Sequence, residues 1–234
     1  MEENVLLEMK NISKTFPGVK ALKNVHFKVH RGEIMAFMGE NGAGKSTLIK
    51  IITGYYRRDP GAGEFYFDGK AVNPRNTDEA QRLGISTIFQ ELNLSPFLSV
   101  AENIYLGNTP KKNGMIDWDT MNKNARAALL ELGVDIDVTA QLSMQSTAIQ
   151  QMVSIARALS RNTKLLIMDE ATSSLDTGEV KVLFDVVKGL KKKGISTIFV
   201  THKMDEIYQV CDAATIFKDN TSPACPLRSC LSSS

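Results

Sequence analysis

The nine residues from Gly39 to Thr47 read Gly-Glu-Asn-Gly-Ala-Gly-Lys-Ser-Thr and match the pattern GxxxxGK[ST]. In 234 residues of ordinary composition, a chance match to this pattern has a probability on the order of 1%. A strand-like apolar run at residues 34–38 precedes the pattern, and a helix-like run at residues 47–52 follows it. Glycines let the backbone wrap around a phosphate chain, and the N–H groups at a helix start attract negative charge. The sequence therefore predicts the phosphate-binding loop of a nucleotide site.

Two residues of this loop have distinct predicted roles. The Lys45 ammonium is expected to bridge the β- and γ-phosphates, and the Ser46 hydroxyl is expected to coordinate Mg²⁺. The candidate ATP-binding residues of the loop are Gly39, Glu40, Asn41, Gly42, Ala43, Gly44, Lys45, Ser46 and Thr47. The alternative is a surface glycine loop with an incidental lysine, and the flanking strand and helix argue against it.

A second candidate element is an apolar run at residues 165–168 that ends in two carboxylates, Asp169 and Glu170. Asp169 at the strand end is expected to hold Mg²⁺, directly or through water. Glu170 is expected to act as the general base on the attacking water. Acidic residues commonly mark strand ends, so this interpretation depends on the phosphate-binding loop that precedes it in the chain.

Composition excludes several classes of protein. The chain has 28 Lys and Arg against 26 Asp and Glu, a net charge of +2, which argues against a nucleic-acid partner. No apolar stretch approaches the roughly 18 residues of a membrane-spanning helix, and the acidic start does not resemble a secretory signal. The three cysteines, Cys211, Cys225 and Cys230, form no CxxC pair. We expect a soluble chain in a reducing cytoplasm, with one core thiol and two exposed thiols.

Hydrophobic patterning predicts an α/β fold. Alternation at residues 5–9, 25–29 and 64–68 indicates half-buried strands, whereas continuous apolar runs at 34–38, 85–89, 165–168 and 195–200 suit a parallel sheet covered by helices. Helical spacing predicts helices over residues 120–132, with Gly133 as the C-cap, and over residues 180–190. The last residues, 221–234, hold five Ser and a single charge, so we expect a disordered or artefactual tail.

Three further motifs follow in a fixed order: Phe89-Gln90, then Ser173-Ser174-Leu175-Asp176 after the Asp169-Glu170 strand, and finally Thr201-His202. Together with the loop and that strand, they resemble the ATPases of ATP-binding cassette (ABC) transporters over residues 1–220. The strings Gly-Glu-Asn-Gly-Ala-Gly-Lys-Ser-Thr and Phe-Gln-Glu-Leu resemble the carbohydrate-importer branch of the ribose, galactose and xylose type. The resemblance implies a P-loop NTPase core with a mainly parallel sheet, an antiparallel β subdomain, and an inserted helical subdomain at about 91–161.

The resemblance also implies roles for single residues. Phe16 would stack on adenine, although a strand-end aromatic is as readily a core residue. Gln90 would offer an oxygen to Mg²⁺ or water, and its loop would sense the membrane subunit. His202 would hydrogen-bond the γ-phosphate, although a lone histidine after a strand is usually structural. Asp176 would lie at the seam between two cassettes.

The signature helix of the family, Leu-Ser-Gly-Gly-Gln, has no direct match here. Leu142-Ser143 resembles its beginning, but no glycine follows. Alignment on the downstream helix instead places residues 145–149, Gln-Ser-Thr-Ala-Ile, over the five positions. In that register Ser146 is the predicted N-cap, and its hydroxyl and the following N–H groups would face the γ-phosphate bound by a partner cassette.

The function implied by the resemblance is ATP hydrolysis, with Mg²⁺, that drives sugar import through separate transmembrane permease subunits. The chain would dock at the cytoplasmic face of the membrane, pair with a second cassette, and act indirectly with a sugar-binding protein. Sugar importers generally carry two cassettes in a chain about twice this length, so either two copies pair or this is an N-terminal half. The alternatives are a non-hydrolysing nucleotide-binding module and a soluble ABC ATPase outside transport. Sugar specificity would reside in the permease and the sugar-binding protein.

Overall fold

The computed structural model describes residues 4–40, 42–89 and 93–218. The chain divides into two compact units. The first comprises residues 1–87, 164–170 and 187–234, and the second comprises residues 88–163 and 171–186.

The described secondary structure alternates between strands and helices. The strands are β1 (Val5–Phe16), β2 (Val19–His30), β3 (Ile34–Gly39), β4 (Glu64–Phe67), β5 (Lys70–Ala71), β6 (Ile85–Ile88), β7 (Lys111–Lys112), β8 (Met115–Ile116), β9 (Leu165–Asp169), β10 (Ser196–Val200) and β11 (Ala213–Phe217). The helices are α1 (Lys45–Ile52), α2 (Thr77–Leu83), α3 (Val100–Tyr105), α4 (Trp118–Leu130), α5 (Thr147–Leu159), α6 (Thr177–Lys192) and α7 (Met204–Val210), with a 3-10 helix at Leu142–Met144.

The first unit contains a five-stranded sheet in the order β11-β3-β10-β9-β6. Strands β3, β9, β10 and β11 run parallel. Every residue of β10 is buried, as the continuous apolar run predicted, because both faces of such a sheet are covered. The predicted mainly parallel sheet is therefore confirmed.

A second, antiparallel sheet of the first unit has the order β2-β1-β4-β5. A core of buried side chains from both sheets and from α1 joins them. Phe37 of β3 lies at its centre, with its ring 5.1 Å from the rings of both Phe27 and Phe217. This arrangement confirms the predicted antiparallel β region and fixes the start of α1 against the parallel sheet.

Three helices, α3, α4 and α5, pack on one another in the second unit. Helix α4 ends at Leu130 with Glu131 as its C-cap, so the prediction of a helix to residue 132 capped by Gly133 is wrong. After Leu130 the backbone hydrogen bonds span three residues instead of four. Leu132 N–H donates to Leu129 O, and Gly133 N–H donates to Leu130 O. Gly133 then turns the chain, with φ of 78°.

None of the described helices is both long enough and apolar enough to cross a membrane. Cys211 is buried, and burial raises the pKa of its thiol to about 12. Cys225, Cys230 and the predicted tail at residues 221–234 lie outside the described residues.

Candidate nucleotide site

The carboxyl ends of three neighbouring strands meet at one edge of the parallel sheet. Val200 of β10 is level with both Phe37 of β3 and Asp169 of β9. The phosphate-binding loop follows β3, the two carboxylates end β9, and His202 follows β10. Parallel pairing thus brings together residues that are more than 160 positions apart in the sequence, and this edge is where open α/β sheets bind ligands.

The predicted phosphate-binding loop has backbone features that suit an anion. Gly39, Gly42 and Gly44 have φ values of 149°, 84° and 98°, which side-chain-bearing residues rarely adopt. Gly44 is the N-cap of α1 and supplies no side-chain acceptor to the first turn. The first N–H groups of a helix have no intrahelical acceptor, so these donors suit a phosphate.

Gly44 is required for a second reason, which is close packing. A Cβ atom at this position would lie 2.5 Å from Ala21 O and 2.9 Å from a methyl carbon of Leu22. By contrast, a Cβ atom at Gly42 would meet nothing within 4 Å. Gly44 therefore lets the loop lie directly against β2, which fixes the direction of α1.

Lys45 holds the loop in its curled form. Its Nζ donates hydrogen bonds to Gly39 O and, at 2.9 Å, to Glu40 O. Glu40 O also accepts from Ala43 N–H at 3.2 Å. The Lys45 ammonium thus lies against the backbone of the loop, the position expected of a cation that binds a phosphate chain.

The other loop residues differ in exposure. Ala43 is buried, Thr47 is half-buried, and Glu40 and Ser46 are exposed. The Ser46 hydroxyl stands in the first turn of α1, where it is free to reach a ligand. Asn41 lies outside the described residues, as does Gln90.

Asp169 is a carboxylate in an unfavourable environment for its charge. Burial raises the pKa of Asp169, the adjacent Glu170 carboxylate raises it further, and Lys45 and Lys50 act in the opposite direction. A cation beside Asp169 would relieve this cost. The described residues contain no cluster of three or more His, Cys, Asp or Glu side chains able to hold a metal. The oxygen donors predicted for the ion, the Ser46 hydroxyl and the Asp169 carboxylate, are of the type that Mg²⁺ prefers, since it commonly binds through one or two protein oxygens together with substrate phosphates.

Glu170 occupies a strained backbone position. Its φ is 48°, and the other described non-glycine residues with positive φ are all Asn or Asp, which tolerate that region better. Its N–H donates to Val200 O at 3.1 Å, so the strained turn is tied to β10. Strained residues of this kind concentrate at functional sites.

His202 lies beside Glu170. Its Nδ1 is 3.4 Å from Glu170 Oε1, and the imidazole is 70% exposed. A carboxylate and an imidazole therefore lie together at the edge of the sheet where β3 leads into the predicted phosphate-binding loop. This pair can exchange hydrogen bonds with water and with a phosphoryl group.

Asp169→Asn is expected to raise the free energy of unfolding at pH 7. Because the folded-state pKa lies above the reference value of 3.8, ionisation of Asp169 costs folding free energy. That cost is absent below pH 3.8 and complete above the folded-state pKa. Urea unfolding should therefore show a gain at pH 7 that shrinks towards pH 3.8. Asp185→Asn, at an exposed helix position, is the control. A loss of stability for Asp169→Asn at pH 7 would contradict the inferred free-energy cost of ionising Asp169.

Phe16 ends β1 and is half-buried. Its ring meets Tyr56 edge-on at 5.1 Å, and Lys14 Nζ lies 5.2 Å from its centroid. Asp59 anchors the preceding residue, because Thr15 N–H and Oγ1 donate to its two carboxylate oxygens at 3.0 and 2.8 Å. Phe16 is thus braced from one side, a placement compatible with either a stacking platform or a packed strand end.

Ser146 and Asp176 belong to the second unit, and both side chains cap helices. Ser146 is the N-cap of α5 and accepts a hydrogen bond from Ile149 N–H at 3.4 Å, so the predicted cap is confirmed. Asp176 Oδ1 accepts from Gly178 N–H and Glu179 N–H at the start of α6. Glu179 Oε2 in turn accepts from Asp176 N–H at 3.0 Å. Ser146 is exposed at its helix start, whereas Ser143 lies in the 3-10 helix.

Sequence reasoning passed over the residues that brace this site. Tyr56 and Asp59 support the strand end at Phe16, and Glu206 hydrogen-bonds Thr201 next to His202. The sequence offers one signal for Glu206, which is an acidic residue in the first turn of α7. Its bond to Thr201 depends on the fold of the turn.

Comparisons with known proteins agree with this geometry. The family model described as ABC transporter matches residues 22–173. The chain is 48% identical over 220 residues to the galactofuranose transporter ATP-binding protein YtfR of Escherichia coli, and 51% identical over 215 residues to the arabinose import ATP-binding protein AraG of Vibrio parahaemolyticus. These alignments cover 94% and 92% of this chain but 44% and 42% of the two relatives. The chain therefore spans less than half of their length.

Two solved structures show the same fold. One is the ADP conformation of an ATP-binding cassette of an ABC transporter, with a TM-score of 0.82 and 29% identity, covering 94% of this chain and 89% of that one. The other is a dimeric post-hydrolysis state of an ATP-binding cassette bound to ADP and Pi, with a TM-score of 0.77 and 28% identity, covering 93% and 96%. These similarities confirm the predicted fold class.

Proposed function

The chain belongs to the ABC transporter family, and we propose that it binds and hydrolyses ATP to energise sugar import through separate transmembrane permease subunits. The observation that carries the proposal is the pairing of Glu170 with His202 at the sheet edge that holds the phosphate-binding loop. A module that only bound a nucleotide would need that loop but not a carboxylate held in a strained turn beside an imidazole.

The loop residues bind the triphosphate. The N–H groups at the start of α1 and the Lys45 ammonium face the phosphates, and the positive φ values of Gly42 and Gly44 allow the backbone to curve around them. Phe16 would stack on adenine, with its ring held by the edge-on contact with Tyr56. Ser46, Asp169 and Gln90 would hold Mg²⁺, which neutralises charge on the β- and γ-phosphate oxygens when bound.

Glu170 and His202 act on the reacting groups. Glu170 accepts a proton from water as the water oxygen bonds to the γ-phosphorus, and the bond from that phosphorus to the ADP oxygen breaks. His202 donates a hydrogen bond to the γ-phosphoryl oxygens. ADP leaves with the bonding electron pair, and inorganic phosphate is the second product.

The partners in this proposal are a transmembrane permease and a second cassette. The relatives are named as transporter or import ATP-binding proteins, which supports a permease partner and a place at the cytoplasmic face of the membrane. A dimeric cassette among the similar structures supports pairing. The sugar-binding protein would act through the permease.

ATP is expected to pair two copies of this chain through the start of α5. In light scattering, Glu170→Gln with ATP and Mg²⁺ should shift towards the dimer mass, and with ADP it should remain a monomer. Adding Ser146→Arg should abolish the ATP-dependent dimer, because a bulky cation at the helix start blocks the partner's phosphates. The matched change Ser143→Arg should have a smaller effect.

The opposite order of severity would place the signature at Leu142-Ser143. A monomer under all nucleotide conditions, with ATP still bound, would favour the nucleotide-binding module without hydrolysis. The feature that favours this second candidate is the altered signature, in which residues 147–149 read Thr-Ala-Ile where the family has Gly-Gly-Gln.

A further inference from the structure

Glu206 is a buried carboxylate that the proposed hydrolysis does not use. It lies in the first turn of α7 and is 6% exposed. A buried carboxylate is costly unless it is paired, and Glu206 has partners on both oxygens. Oε2 accepts a hydrogen bond from Thr201 Oγ1 at 2.8 Å, and Oε1 lies 3.1 Å from Lys203 Nζ.

Both partners of Glu206 are immediate neighbours of His202. Thr201 is buried at 4% exposure, and its Oγ1 also accepts a hydrogen bond from Lys203 N–H at 3.1 Å. The carboxylate is therefore bonded to the residue before the histidine and paired with the residue after it. The imidazole is 70% exposed and gains little from packing, so its position depends strongly on the backbone on either side.

The bonding pattern differs from an ordinary helix cap. In a capping box, a glutamate at the third helical position accepts directly from the N–H group of the N-cap residue. Here Lys203 is the N-cap, and its N–H donates to Thr201 Oγ1, which donates onward to Glu206. The Thr201 hydroxyl thus links the N-cap N–H group to the carboxylate. The capping network therefore includes Thr201, which directly follows β10 and precedes His202.

Glu170, the second member of the pair with His202, is held by separate hydrogen bonds. Glu170 N–H is bonded to Val200 O, and Asp169 is in register with Val200. The Glu170 backbone is therefore tied directly to the sheet, whereas the His202 backbone depends on the turn between β10 and α7. The distance of 3.4 Å between Nδ1 and Oε1 thus depends on that turn.

We infer that Glu206 is a positioning residue that acts through Thr201 to hold the His202 imidazole against Glu170. The inferred effect on hydrolysis rests on the proposed function, but the effect on the ring position does not. Glu206 itself touches neither water nor nucleotide in this role.

The ring position is tested by nuclear magnetic resonance of protein with ¹³C-labelled histidine at neutral pH. The His202 signal, assigned by its loss in His202→Ala, should shift when Glu170→Gln removes the nearby charge. In Glu206→Met, which keeps side-chain length but removes the acceptor, most of that shift should disappear. Glu206→Gln, which keeps an acceptor oxygen, should retain the shift, and so should Asp205→Asn on the same helix turn.

Thr201→Val is a second test should Glu206→Met fail to fold, since it removes only the bridging hydroxyl. It should abolish the shift as well, whereas Thr201→Ser should restore it. An undiminished Glu170-dependent shift in Glu206→Met or Thr201→Val would overturn the inference. So would the absence of any shift in the wild-type background.

Kinetics provide the readout that a merely structural role would not give. Glu206→Met should lower kcat by about 10- to 100-fold through misplacement of the ring, with KM for ATP little changed. In a His202→Ala background the same substitution should have almost no further effect. An equal loss in both backgrounds would show that Glu206 acts on the fold rather than through His202. A wild-type chain without hydrolysis would instead contradict the proposed function, and the resonance test would still decide the position of the ring.

Discussion

Glu170→Gln is expected to lower ATP turnover by about 10²–10⁴-fold, the usual cost of losing a general base, while ATP binding persists. Glutamine keeps the size of the side chain and can still accept a hydrogen bond from water, but it cannot take the proton. The change should leave the phosphate-binding loop intact, because the Glu170 backbone N–H still bonds Val200 O. The measurement is phosphate release at saturating ATP and Mg²⁺, alongside a calorimetric titration of ATP.

The control for this prediction is Glu179→Gln, a conservative change at a glutamate in the first turn of α6. It should retain most of the turnover, since a glutamine oxygen can still accept from Asp176 N–H. Turnover undiminished in Glu170→Gln would remove this residue from the role of base. A parallel loss of ATP affinity would show that the residue supports the loop rather than the chemistry.

Lys45→Ala is expected to weaken ATP binding by about 10- to 100-fold, as charged hydrogen bonds contribute about 1.5–3 kcal/mol. Two effects combine, because Lys45 offers a cation to the phosphates and also ties Gly39 O and Glu40 O together. Lys50→Ala on the same helix removes the same net charge near the Tyr55 and Tyr56 rings, and serves as the matched control.

Titration calorimetry of each lysine variant with ATP separates the two positions. Lys50→Ala should bind ATP within a few-fold of wild type. Equal affinity in Lys45→Ala and wild type would contradict the assignment of residues 39–47 as the phosphate-binding loop. This outcome is distinct from that of Glu170→Gln, in which binding persists and only turnover is lost.

Much of the site could be predicted because its parts are short and local. The glycine positions in the loop require positive φ, and the sequence shows them directly. Strand β9 is apolar up to Asp169 and β10 ends in three apolar residues, so their carboxyl ends, and the residues that follow, could be placed at one edge of a parallel sheet. The pairing of Glu170 with His202 was not predicted; it depends on the pairing of β9 with β10, which the structure supplies.

The braces around the site could not be predicted because they depend on contacts between distant or structurally irregular segments. Tyr56 meets Phe16 across 40 positions, and Asp59 meets Thr15 across 44, with no periodicity to indicate either contact. The C-cap of α4 was misplaced by two residues, because a glycine marks where the chain turns but not where the helical hydrogen bonds end. Short helices such as α3 and α7 offer too few turns for a periodic pattern.

The central claim is that this chain hydrolyses ATP with Glu170, and steady-state phosphate release from the purified chain tests it most directly. The rate should depend on Mg²⁺ and rise more steeply than linearly with protein concentration, because the proposed function requires two copies to complete each site. It should fall to background in Glu170→Gln at every concentration. Phosphate release by the wild-type chain no faster than by Glu170→Gln, under conditions where both bind ATP, would contradict the account.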